Sequence, residues 1–290
     1  MPPTLPADVE LVWDLRCGVG EGPVWHEARG LLLFCDIPAG RIHGYAPATG
    51  ERTSWRLPDV VGSFGLCRSG RLIVALRERV VLYDLDRDCI DPLVAPIGLP
   101  PATRFNDGKV GPDGAFWVGT IDTTRQPTAK LYRVTADGRI EEKSDGYTTS
   151  NGLAWSADGR TMFHADTRPG ILNTWDFDPA TGAITNQRQI ARMTDEQGRP
   201  DGGATDTSGA YWSAGVSSTW LNRFSANGEL TGRIALPVPC PTMPCFTPHG
   251  LFLTSLRNDD AAMLAQYPTM GGLFRLPAPA EGVPICVFAD

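Results

Sequence analysis

Six glycines, each at a turn and each followed by a short apolar run, recur along this 290-residue chain. They are Gly30 (before Leu31-Leu32-Leu33-Phe34), Gly70 (Leu72-Ile73-Val74), Gly114 (Phe116-Trp117-Val118), Gly159 (Met162-Phe163), Gly209 (Tyr211-Trp212) and Gly250 (Leu251-Phe252-Leu253). The gaps between them are 40, 44, 45, 50 and 41 residues. Glycine supplies the positive φ that such turns need, and the aromatic and branched residues after it suit a strand. A second strand pattern follows each: Arg41 to Tyr45, Val80 to Leu85, Ala129 to Val134, Leu172 to Phe177, Trp220 to Phe224 and Gly272 to Leu276. Repeats of about 40–50 residues made of short strands mark an all-β propeller with four strands per blade. Six repeats predict a six-bladed β-propeller filling residues 1–290 as one domain. Val9 to Trp13 reads as a strand before the first repeat, placed to pair with the last blade and close the ring.

The length alone would suggest about two domains. The repeat overrides this, because a blade buries its faces only against its neighbours. A net charge of −7 with no Lys/Arg cluster argues against nucleic acid or an anionic membrane as partner. Met1 to Glu10 has neither the basic start nor the apolar core of a signal peptide, and no run approaches the ~18 apolar residues of a membrane span. Seven scattered cysteines suit reduced thiols rather than a disulfide frame, so the expected location is cytoplasmic.

The repeat phase also gives a candidate site. Eight residues before Gly114, Gly159 and Gly209 stand Asn106, Asn151 and Asp201; the first repeat has one extra turn residue, and nine before Gly30 is Glu21. Gly62 and Thr242 hold the two remaining equivalent positions. Equivalent positions in successive blades form a ring about the axis, so Glu21, Asn106, Asn151 and Asp201 are expected at one mouth of the channel. Two carboxylates so close would repel, and a bound cation removes the problem. All donors are oxygens, which suits Ca²⁺, Mg²⁺ or Mn²⁺, with Zn²⁺ also able to bind.

Four ordered stretches carry a family resemblance: Arg16-Cys17-Gly18-Val19-Gly20-Glu21-Gly22-Pro23-Val24-Trp25, Arg104-Phe105-Asn106-Asp107-Gly108-Lys109, Ser150-Asn151-Gly152-Leu153-Ala154-Trp155-Ser156 and Pro200-Asp201-Gly202-Gly203-Ala204-Thr205-Asp206. With Ala265 to Phe274, they make the chain resemble the senescence-marker-protein (regucalcin)/gluconolactonase/luciferin-regenerating family of six-bladed propellers, and bacterial sugar lactonases within it. The resemblance implies one divalent metal held by Glu21, Asn151 and Asp201, and substrate contacts from Arg104 and Asn106. The family has a further acidic contact shortly after the position of Thr120. Only Asp122 stands near it, off the spacing, and no role carries over to it.

The chemistry agrees. Opening a lactone needs a polarised carbonyl, an activated water and a place for the oxyanion, which a divalent ion with open positions can serve. Asp201 could be ligand and general base at once, while Arg104 and Asn106 orient sugar hydroxyls. Competing sites are weaker. There is no Gly-x-Ser-x-Gly. The histidines (26, 43, 164, 249) do not cluster. Asp84-x-Asp86-x-Asp88 lacks the later residues of an EF-hand loop and reads as a strand-to-turn segment. Cys240 and Cys245 have no second pair and read as free thiols. Trp25, Trp117, Trp155, Trp175 and Trp212 read as core between blades. The expectation is a metal-dependent lactonase acting on a small sugar lactone of glucono- or xylonolactone type. The alternatives are an esterase or phosphotriesterase on the same metal site, or a binding propeller whose metal is structural.

Overall fold

Each of the six turn glycines adopts positive φ, from +61° at Gly30 to +122° at Gly250, and each separates two antiparallel strands. The strands before these turns are the inner strands of their blades: Gly20–His26, Ser63–Leu66, Thr103–Val110, Ser150–Trp155, Pro200–Thr205 and Pro241–Thr247. The computed structural model describes residues 2–290 and gathers its strands into six four-stranded antiparallel sheets. Five sheets run in simple chain order from inner to outer strand. The sixth takes its outer strand, Glu10–Trp13, from the start of the chain and pairs it with Leu273–Leu276. Inner strands touch their neighbours around the ring, the sixth touching the first. This is the six-bladed propeller that the repeat predicts, closed by the strand expected before the first repeat.

Six apolar clusters lie at the six boundaries between adjacent blades. Alternating side chains on each sheet face make this possible, since both faces of a blade must be covered. Trp117, Trp155 and Phe177 meet edge-on between the third and fourth blades. Phe163 and Tyr211 stack at 4.9 Å between the fourth and fifth. Trp212 packs with Leu251 and Phe274 between the fifth and sixth. Trp117, Trp155 and Trp212 are therefore core, as their strand positions suggest, while Trp25 and Trp175 are partly buried and pack against the edges of two clusters. Among the described residues no helix is long and apolar enough to cross a membrane.

The inner strands share one irregularity. In five of the six, pairing with the second strand slips by one residue just where the ring position falls, as at Glu21/Val24, Phe105/Gly108 and Asn151/Ala154. Ser63–Leu66 of the second blade pairs without a break. A β-bulge turns a side chain out of strict alternation and bends the strand. The fold thus aims the ring positions at the axis while the strand beyond them resumes regular pairing.

Candidate active site

Gly22 and Gly152, each directly after a ring residue, have φ of +59° and +68°, a conformation glycine reaches without a Cβ penalty. At Gly152 the backbone is also held from behind, because the Tyr211 hydroxyl donates to its carbonyl at 2.8 Å. These backbones point Glu21 and Asn151 into a cavity of about 450 Å³ at one mouth of the channel. Asn106, Asp201 and Arg104 line the same cavity. All five residues singled out in the sequence are therefore brought together, on the first, third, fourth and fifth blades.

A chain of hydrogen bonds joins four of them. Arg104 Nη1 donates to the Phe105 carbonyl at 2.8 Å and to Asn106 Oδ1 at 2.9 Å. Asn106 Nδ2 donates to Asn151 Oδ1 at 2.7 Å and to the Ser150 carbonyl at 3.2 Å. Asn151 Nδ2 in turn donates to Asp201 Oδ1 at 2.5 Å and to Thr167 Oγ1 at 2.7 Å. Glu21, on the first blade, stands outside this chain of bonds, its Oε2 accepting from the Gly22 N–H at 2.9 Å.

The electrostatics are strained in one direction. Burial first, then the charges of Asp201 and Asp107, push Glu21 well above the ordinary carboxylate range. Burial and the Asp107 charge do the same to Asp201. Buried like charges favour a proton or a cation between them. The donor set of two carboxylates and an amide oxygen fits a hard divalent cation, and no imidazole or thiolate joins it. Cys240 lines the cavity, but burial raises its pKa and leaves it a poor thiolate ligand.

Asp107 is a third buried carboxylate, unassigned by the sequence reading. Its Oδ2 accepts from the Leu153 N–H at 3.2 Å and its Oδ1 has no partner. Lys109, two residues further along the strand, donates to the Gly203 carbonyl at 2.8 Å. Asp122 does not line the cavity; it ties its own loop by accepting from the Thr124 N–H at 2.7 Å, from the Thr124 hydroxyl at 2.5 Å and from Thr128. Asp84 likewise caps a turn, accepting from the Asp86 and Arg87 N–H groups. His164 is fully buried, bonded to Ser150 Oγ at 2.8 Å, and away from the cavity wall. All seven cysteines are free thiols.

Sequence counting along inner strands missed the rest of the wall. Thr167 and Arg168 follow the second strand of the fourth blade, Val216 and Ser217 that of the fifth, and Leu256 and Asn258 that of the sixth. Inner strands start at this mouth and second strands end at it. The few residues after each second strand were therefore the signal available.

The family model "SMP-30/Gluconolactonase/LRE-like region" matches residues 19–257. A 6-deoxy-6-sulfogluconolactonase of Pseudomonas putida is 37% identical over 92% of this chain and 93% of its own. Regucalcin of Danio rerio is 31% identical over 95% of this chain and 96% of its own. Among solved structures, a calcium-binding protein, regucalcin, of Agrobacterium tumefaciens superposes with a TM-score of 0.93 over the full length of both chains, at 23% identity, a likeness of fold.

Proposed function

The chain belongs to the SMP-30/gluconolactonase/LRE-like family, and from that premise we propose that it is a lactonase that opens a sugar lactone to the aldonic acid with a divalent metal. The proposed substrate is an aldonolactone of glucono- or xylonolactone type. One observation carries the reading: two buried carboxylates and two amides from four blades converge on one open cavity, with both carboxylates pushed above their ordinary range. Glu21, Asn151 and Asp201 would hold the metal. When bound, a divalent cation supplies polarisation of an ester carbonyl and eases deprotonation of water.

The chain's own residues supply the remainder. Asp201 Oδ would accept the proton of the attacking water and return it to the ring oxygen as the ester bond breaks. Asn106, locked by Arg104 on one side and Asn151 on the other, holds the sugar in one orientation. Arg104 engages only Nη1 within the described residues, which leaves its other donors for sugar hydroxyls. Seven free thiols fit a reducing compartment, and a cytoplasmic location belongs to the same proposal.

The test is proton release over a panel of aldonolactones, an aryl ester and a phosphotriester, with Ca²⁺, Mg²⁺, Mn²⁺ and Zn²⁺ each added to stripped protein. The expected result is turnover of at least one sugar lactone above the others. Turnover of the phosphotriester or aryl ester alone, or of nothing, would overturn it.

A further inference from the structure

At the polar mouth the structure groups three guanidinium groups that no acid neutralises by contact. Arg168 and Arg199 line the cavity beside Asn151 and Asp201. Arg168 directly follows Thr167, the partner of the Asn151 amide, and Arg199 stands two residues before Asp201. Arg125, in the corresponding loop of the third blade, lies near enough to act on Arg168. Burial first, then the Arg125 and Arg199 charges, lower the Arg168 pKa, and no acid counters them. None of the three has a carboxylate within 4.0 Å among the described residues. Arg199 Nε is buried without a hydrogen-bond partner. Asp201 lies within electrostatic reach of Arg199 but forms no ion pair with it.

The chain carries a net charge of −7, and several arginines elsewhere pair closely with acids. Arg29 pairs with Asp86 at 2.6 Å, Arg133 with Asp113 at 2.7 Å and Arg188 with Asp176 at 2.6 Å. Arg125 and Arg168 are exposed and Arg199 is half-buried, so these charges form a positive rim that meets solvent rather than an acid. A neutral sugar lactone gives no reason for the arrangement. An anionic substrate does, because a net negative protein repels it at long range and a local positive rim admits it. Guanidinium groups also match oxyanions in shape, offering paired N–H donors.

We propose that Arg168 and Arg199, with Arg125 at the rim, form an oxyanion subsite, and that the preferred substrate is a sugar lactone carrying a sulfonate, phosphate or carboxylate at the end remote from its ring carbonyl. The carbonyl then sits over Glu21, Asn151 and Asp201, and the anionic end lies toward the fourth and fifth blades. This rests on the lactonase reading but adds a separate claim about specificity.

The experiment compares kcat/KM for a neutral six-carbon aldonolactone with that for the same lactone bearing a sulfonate or a phosphate on C6. Charge-assisted hydrogen bonds predict a preference of about ten- to a hundredfold for an anionic form, carried by KM. Added salt should shrink it. Arg168→Gln and Arg199→Gln should each lower the ratio of anionic to neutral turnover, and the double variant should bring it within about twofold of unity. A wild-type ratio near one, or a ratio unchanged in the double variant, overturns the subsite while leaving the lactonase reading intact. If no lactone turns over, the lactonase reading fails, and calorimetry still reads the subsite. Wild-type protein should then bind a C6-phosphorylated aldonate more tightly than the neutral aldonate, and the double variant should not. Equal binding of the two by wild type overturns the proposal.

Discussion

The two mouths of the channel are built from the same six inner strands, yet their chemistry is opposite. At one mouth stand Glu21, Asn106, Asn151 and Asp201, with arginines around them. At the other lies a cavity of about 330 Å³ walled by Phe64, Val110, Trp155, Met243 and Phe246. Residues 282–290 cross that second mouth as a strap. The Val283 and Phe288 N–H groups donate to the Thr205 and Leu66 carbonyls at 3.0 and 2.8 Å, and Asp290 accepts from Ser69 and Arg71. The difference follows from register. Where five inner strands slip by one residue, polar side chains turn to the axis; where pairing is regular again, apolar residues face inward and are covered. Polar groups are concentrated at the irregular end and apolar packing at the regular one.

The largest expected effect breaks the reactive end alone. Asp201→Asn keeps size and one carbonyl oxygen, so the propeller should fold. It removes the proposed proton acceptor, which should cost about 10²–10⁴-fold in turnover even at saturating metal. Glu21→Gln, altered at a residue proposed only as a ligand, should recover more fully when metal is saturating. Equal recovery of the two variants would show that the base lies elsewhere.

The packed end should respond in stability rather than rate. Phe288 belongs to the strap and its ring is fully buried. Phe288→Ala should destabilise by about 3–5 kcal/mol in denaturant unfolding, with kcat/KM of the remaining folded protein near wild type. A matching loss of kcat/KM would mean that the mouths are not independent.

Thr167→Val removes the acceptor that orients Asn151 Nδ2. Loss of a partner behind a ligand costs about 10–100-fold in metal affinity. Titration with the metal should show this, and Thr167→Ser should restore most of it. If valine binds metal as serine does, the bond does not orient the ligand.

These effects also show what the sequence could and could not disclose. The blades were legible because turn glycines and apolar runs keep a fixed phase, and the ring positions because phase alone brings Glu21, Asn106, Asn151 and Asp201 to one height. The bulges were not, since a one-residue slip leaves the apolar pattern on both sides intact. Thr167, Arg168 and Arg199 lie in loops, where no periodicity marks direction. Asp107 reads like its neighbour Asn106, and only the slipped register shows that it lies inside the channel. Asp122 drew notice for its charge, yet its acceptors are consumed by Thr124 and Thr128.

A smaller effect concerns pH. The folded-state pKa of Asp201 lies above its ordinary value of 3.8, so metal-free folded protein holds this proton more tightly than the unfolded chain does. Its contribution to stability therefore falls as pH rises from about 4 toward that raised pKa. Metal-free Asp201→Asn should gain thermal stability relative to metal-free wild type, by a margin that grows with pH. A margin that is flat or shrinks with pH would contradict the buried-charge account.

The most direct measurement strips divalent ions with a chelator, removes the chelator, and follows lactone hydrolysis by proton release before and after adding back one divalent metal. The account predicts loss of hydrolysis in stripped wild-type protein, its return on adding metal, and no such return to wild-type turnover in Asp201→Asn. Full hydrolysis by thoroughly metal-free protein would contradict it.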